Sequence, residues 1–170
     1  MAEPQVLFKE KQRFRQIGLW LIVLAVAALF WAGFVYQVML GYTVGNNPVG
    51  TGGAFLLTAL FGTALPLFFY RMSLTTQVEP GLLKLRFWPF HLKAVEIPLH
   101  LVRDYEQVVY EPIHEYGGWG IRWTSHGKAY NVSGQEGVKL HFYNQKPILI
   151  GSQYPEELFV AVRKAKTMQA

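Results

Sequence analysis

The stretch IGLWLIVLAVAALFWAGFVYQVML, residues 17–40, contains no Lys, Arg, Asp, Glu or His. As a helix it reaches roughly 36 Å, enough to cross a hydrocarbon core of about 30 Å with some tilt. A cleavable signal sequence has a shorter apolar region, on the order of 7–15 residues. The run is therefore predicted to be a membrane anchor, and the rest of the chain is read by the side of the bilayer it occupies.

Working outward, GYTVGNNPVGTGG (41–53) is uncharged and turn-rich, and Asn46-Asn47-Pro48 disfavours helix. AFLLTALFGTALPLFFY (54–70) is a second apolar run that can extend back through Thr51 and Val49. It is followed at once by Arg71, which can snorkel to headgroups. Pro66 predicts a kink whose freed carbonyl needs a neighbour to satisfy it. The two runs predict a transmembrane helical hairpin over 17–71. Ala54, Thr58 and Gly62 recur every four residues and form a candidate helix-packing stripe. It would meet the first span, a partner helix or a second copy in a homo-oligomer.

Lys9, Lys11, Arg13, Arg15 and Arg71 flank the outer ends of the hairpin, while the connector has no charge. By the positive-inside rule both termini are expected in the cytoplasm. Residues 1–16 read as a polar cytoplasmic juxtamembrane segment that sets orientation, with minor contact to anionic lipid. The net charge of +5 does not imply nucleic acid. From residue 72 onward there are 11 Lys and Arg against 9 Asp and Glu, with no basic run. Cysteine is absent, so disulfides, thiolate metal sites and thiol nucleophiles are excluded.

Residues 72–170 change character. MSLTTQVE alternates Leu74 and Val78 against Thr75 and Gln77, Glu79-Pro80-Gly81 signals a tight turn, and LLKLRFW alternates again. A first hairpin follows. Further strands are predicted at 92–97, 103–110, around Ile121 and Trp123, and in KAYNVSG, GVKLHFY and PILIG, with Ser125-His126-Gly127 turning one into the next. PEELFVAVRKAKTMQ, from Pro155, reads as an amphipathic helix with acids in its first turn and bases in its last. Seven or eight strands closed by one helix indicate an antiparallel barrel or sandwich.

That layout resembles the pleckstrin-homology-like (PH-like) domains of bacterial membrane proteins of uncharacterised function. The motif-level similarity lies in Gly117-Gly118-Trp119-Gly120-Ile121-Arg122, Ala129-Tyr130-Asn131-Val132-Ser133-Gly134, Gly137-Val138 and Ile150-Gly151-Ser152 before Pro155-Glu156-Glu157-Leu158. The resemblance covers roughly the last hundred residues. It implies an α+β membrane protein, with a transmembrane hairpin followed by a PH-like domain over 72–170, and a binding or scaffolding role. Phosphoinositide-binding members carry a basic residue on the first strand and a basic-x-basic pair on the second. Lys84 and Arg86 supply the pair, but 72–79 has no basic residue, which argues against inositol-phosphate binding.

Chemistry is sparse. Glu111, His114 and Glu115, with His100 and Asp104, come nearest to a constellation but lack metal-ligand spacing. Ser125-His126 and Ser133 have no orienting acid, so no hydrolase triad is read, and no cofactor is expected. The Gly117–Gly120 run lacks a phosphate-loop ending and precedes a strand, so its glycines are read as a bend with Trp119 over an edge. The hairpin tip Trp88-Pro89-Phe90-His91 can insert into a bilayer or a partner, or fold back on its own domain. Trp88, Phe90, Trp119 and Arg122 are the candidate partner contacts. The expectation is a non-enzymatic module in a bacterial inner or plasma membrane, docking a protein partner by β-addition at an open barrel edge. The alternative is a small accessory subunit held in a membrane complex by its hairpin.

Overall fold

The computed structural model describes residues 5–43, 49–125 and 127–168, which form two compact units. One unit comprises 15–71; the other combines the N-terminal segment up to Phe14 with the chain from Met72 onward. The predicted turn residues Asn46-Asn47-Pro48 and His126 lie outside the described residues.

The N-terminal segment departs from its reading as a solvated juxtamembrane stretch. Phe8–Arg13 is strand β1, antiparallel to the strand that follows the hairpin. Its alternation is strict: Phe8, Glu10 and Gln12 are buried, and Lys9, Lys11 and Arg13 are exposed. Two of the three inward side chains are polar, so the period-two signal is invisible to a hydrophobic pattern.

In the other unit, helix α1 (Ile17–Phe34) runs on into a π-helical turn at Val35–Met39. The second rod is α2 (Thr51–Leu57), a π-helical segment at Thr58–Ala64, and α3 (Leu65–Arg71). Ile17–Met39 and Thr51–Arg71 are 23 and 21 residues of helix, each long and apolar enough to cross a membrane. The second starts at Thr51, within the backward extension of the 54–70 run that the composition allows, using Thr51, Gly52 and Gly53 for its first turn.

After the hairpin, β2 (Ser73–Glu79) and β3 (Leu82–Trp88) pair across the expected turn, where Gly81 takes a φ of 74°. β4 (Val95–Pro98) completes a sheet of order β1-β2-β3-β4. A 3-10 turn at Leu99–Leu101 leads to β5 (Val102–Val109), and a short helix α4 (Pro112–Tyr116) leads to β6 (Gly120–Thr124). β7 (Gly127–Asn131), β8 (Glu136–Phe142) and β9 (Ile148–Gly151) give a second sheet of order β5-β8-β9-β7-β6.

The structure departs from an all-antiparallel barrel or sandwich of seven or eight strands as follows. Among the described residues there are two sheets and neither closes into a barrel; β1 adds a ninth strand; and β9 lies between β8 and β7, with β7 and β9 parallel. The backbone of β9 approaches closely there. A Cβ on Gly151 would lie 2.8 Å from both Tyr110 Oη and Asn131 Cβ.

Helix α5 (Pro155–Thr167) forms where the terminal helix is expected and buries Leu158, Ala161, Val162 and Ala165. It touches strands of both sheets. The Gly81 N–H donates to the Ala165 carbonyl at 3.0 Å, and Lys166 Nζ donates to the Val102 and Arg103 carbonyls at 2.5 and 3.0 Å. The core of this unit includes Leu74, Val78, Leu83, Leu85 and Phe87 from one sheet and Val138, Leu140 and Ile150 from the other, while Leu149, on the opposite face of β9, packs with Tyr110, Tyr116 and Ala129.

β1 is fastened by a buried polar network. The Glu10 carboxylate accepts Ser152 Oγ–H at 2.7 Å and the Gln153 N–H at 2.9 Å. Gln12 Nε2 donates to the Gly151 carbonyl at 2.7 Å. Replacing Glu10 by Ala strands these donors, and such losses cost about 1–3 kcal/mol each. Glu10→Ala is expected to lower the thermal unfolding midpoint of the detergent-solubilised protein clearly. Lys9→Ala and Lys11→Ala, one residue away on the exposed face, should change stability by about 0.5 kcal/mol or less.

Candidate functional site

Two surface features contain the candidate contacts, and they belong to different sheets. The first is the tip after β3. The His91 N–H donates to the Phe87 carbonyl at 2.8 Å, and the Phe87 N–H donates to His91 Nδ1 at 3.3 Å. Arg86 Nε donates to the His91 carbonyl at 3.4 Å. These bonds hold a tight turn from which Phe90 (60% exposed) and Leu92 (82% exposed) project. Trp88 is half-buried at the end of β3, and the Phe90 ring lies 5.9 Å from that of buried Phe87.

The second feature is the glycine loop between α4 and β6. Gly117, Gly118 and Gly120 all have positive φ, so the chain turns sharply enough to begin β6. Trp119 is half-buried, and its Nε1 donates to the Gly134 carbonyl at 3.2 Å. Arg122 Nε donates to the Trp119 carbonyl at 3.0 Å, so Arg122 braces the loop while staying exposed. The Gly120 N–H donates to Asn131 Oδ1 at 2.9 Å. Trp119 thus folds back on its own domain, as the bend reading requires.

A third group was not singled out from sequence. Lys128 Nζ lies 4.1 Å from the Trp123 ring centroid and 4.4 Å from that of Tyr130. The Tyr130 ring in turn meets His91 edge-on at 5.6 Å, which brings the β3 tip to β7. Burial lowers the Lys128 pKa and raises that of Tyr130 to about 12. His91 is also lowered, first by burial and then by the Lys128 charge. Part of this group was legible. Trp123 and Lys128 stand opposite each other across the β6–β7 hairpin, and Tyr130 lies two residues on, on the same face.

Glu111, His114 and Glu115 enter or flank α4, where Glu115 Oε1 accepts the Glu111 N–H at 2.7 Å. Among the described residues no three His, Asp or Glu side chains converge as metal ligands. Ser133 Oγ accepts Gln153 Nε2 at 3.3 Å.

Within the hairpin, Ala54 and Thr58 are buried, as is Gly62. Thr58 Oγ1 donates to the Phe30 carbonyl at 3.2 Å, and Trp31 Nε1 donates to the Gly62 carbonyl at 3.2 Å. Gly62 is four residues before Pro66, which has no N–H to offer that carbonyl. The indole gives that carbonyl a donor from the first helix. A Cβ on Gly62 would lie 2.9 Å from the Trp31 ring, so the stripe is occupied by α1. Phe30 and Phe61 stack at 4.9 Å alongside.

The model of a family of unknown function, DUF6141, matches residues 1–168. No curated protein matches the chain.

Two outcomes follow from these contacts. A lowered His91 pKa means that, as pH falls through its ordinary value of 6.5, the unfolded chain takes up a proton before the folded one. Stability therefore drops as pH falls through that window. Thermal melts at stepped pH should show a smaller drop for His91→Gln than for the native protein. In the hairpin, Gly62→Leu displaces the Trp31 ring and removes the indole's hydrogen bond to the residue 62 carbonyl. Disulfide crosslinking between single cysteines placed on α1 and α2 should fall sharply in that variant and be nearly unchanged in Leu60→Ala, which removes an exposed side chain.

Proposed function

The chain belongs to the DUF6141 family of unknown function, and from that premise we propose that it is a membrane-anchored binding module. It presents a PH-like domain to a protein partner on the cytoplasmic face of a bacterial inner membrane, and it binds without turnover. The observation that carries this reading is β6. It is one of the two edge strands of its sheet and only five residues long. It bears exposed Arg122 and Trp123, the latter 75% exposed. A short edge strand with an aromatic anchor suits β-addition, the backbone giving affinity and the indole giving specificity.

Membrane topology has two supports. β1 and β2 are paired neighbours, so Arg13 and Ser73 lie on one side of any bilayer and the segment between them crosses an even number of times. Two helices of spanning length satisfy that count. The cations flanking the hairpin and the uncharged connector favour the cytoplasm for both termini. The PH-like relation draws on a run of strands ended by one amphipathic helix, and the parallel β7–β9 pair is a departure from it.

A second reading, an accessory subunit of a membrane complex, draws on an apolar groove of about 770 Å³ along the hairpin, lined by Leu29, Gly33, Tyr36, Val49 and Leu57. Crosslinking and affinity capture of the full-length protein separate the two. Trp123→Ala removes an anchor of a kind typically worth about 2 kcal/mol, or roughly 30-fold in affinity. The docking reading expects loss of the captured partner with Trp123→Ala and retention with Gly33→Leu. The reverse pattern favours the subunit reading and overturns docking.

A further inference from the structure

We propose that one end of the outer face of the β1–β4 sheet is a contact surface for anionic lipid of the bilayer that the hairpin enters. The inference rests on the reading of Ile17–Met39 and Thr51–Arg71 as membrane spans. The strand register lays out that face in rows. Arg13, Ser73 and Trp88 form the first row; Lys11, Thr75 and Arg86 the second; and Lys9, Gln77 and Lys84 the third.

Charge is graded along these rows. The carboxylates of this face stand at the far end: Glu79 holds Lys84 at 2.8 Å, and Glu96 pairs in register with Lys84. The first two rows carry Arg13, Lys11 and Arg86, all exposed, and their remaining positions are Ser73, Trp88 and Thr75. Carboxylates thus drop out of the rows toward the end where the chain passes into the apolar segments, while cations continue to the first row. Arg13 is three residues short of α1, and Ser73 follows Arg71 after a single residue. At full extension, two residue steps reach about 7 Å, so covalent geometry keeps the first row close to the last residue of the second span.

The same end carries the apolar tip. Trp88 stands in the first row, and the turn after it projects Phe90 and Leu92, the most exposed apolar side chain there. Arg86, from the second row, donates to the His91 carbonyl and so ties tip to cations. An aromatic and aliphatic tip beside exposed Lys and Arg is the composition that seats in an anionic headgroup layer: the apolar groups enter the acyl boundary and the cations meet phosphates. A protein partner for this end would need a complementary acidic surface within reach of the tether, whereas the bilayer is already there.

The chain has no cysteine, so one introduced thiol reports uniquely. Full-length Leu92→Cys carrying a bimane label would be placed in nanodiscs of phosphatidylcholine alone, or mixed with phosphatidylglycerol, each with spin-labelled lipid as quencher. Lys164→Cys is the control. It adjoins Ala165, whose carbonyl binds Gly81 at the opposite end of β2. Quenching at Leu92 is expected to be several-fold stronger in the anionic discs. It should fall to the control level with Lys11→Gln/Arg13→Gln/Arg86→Gln, and fall in the native background as salt is raised. Quenching at Leu92 no greater than at Lys164 would overturn the proposal. Equal quenching in both lipids, indifferent to salt and to the triple variant, would overturn the anionic-lipid assignment. Failure to enter discs at all would overturn the spanning premise as well.

Discussion

The pairing of β1 with β2, locked by Glu10 and Gln12, is the constraint on which the rest of the domain depends. Burying a carboxylate is unfavourable unless hydrogen bonds replace its water. Here Ser152 Oγ at 2.7 Å and the Gln153 N–H at 2.9 Å do so, beside the start of α5, where the helix dipole favours negative charge. The bond partners are more than a hundred residues away in sequence. The first strand thereby fixes the loop that launches the last helix, and that helix ties both sheets together through Ala165 and Lys166. A fragment beginning at residue 72 would lack the strand and leave these donors without an acceptor, so the domain is properly 5–14 together with 72–168. The hairpin is an insertion between two adjacent strands.

The same logic of satisfied backbone governs the hairpin. Pro66 removes one donor from its helix, and the carbonyl it would have met is Gly62. In an apolar medium that carbonyl has no water to turn to. Absence of a side chain at Gly62 lets the Trp31 indole approach and donate to it. The π-helical segment at Thr58–Ala64 is the local adjustment around this site, and Thr58 makes the second interhelical bond. Small residues at four-residue spacing therefore serve both close approach and polar satisfaction.

Legibility in the sequence followed the strength of each periodic signal. The two apolar runs, the β2–β3 turn at Pro80-Gly81, the later strands and α5 were readable because length, alternation or capping residues marked them. β1 was not, since Glu10 and Gln12 occupy inward positions that a hydrophobic pattern assigns to solvent, and Lys9, Lys11 and Arg13 read as a topology signal. The parallel β7–β9 pair was hidden because order in space is set by long-range contacts that strand periodicity does not encode. α4 is a five-residue turn of helix in EPIHEY, too short for a period. Of the candidate contacts, Phe90 is exposed and Trp119 is folded inward. The Trp123–Lys128–Tyr130 group needed the hairpin register before its members could be seen to meet.

Amide hydrogen exchange of the full-length protein in detergent or nanodiscs tests the central claim most directly, because β1 makes no prediction that a juxtamembrane tail would share. If β1 is an integral strand locked by Glu10 and Gln12, amides across Phe8–Arg13 will be protected to a degree comparable with Ser73–Glu79, their partner in the register. Exchange of residues 8–13 at the rate of an unstructured chain, with 73–79 still protected, would contradict the account.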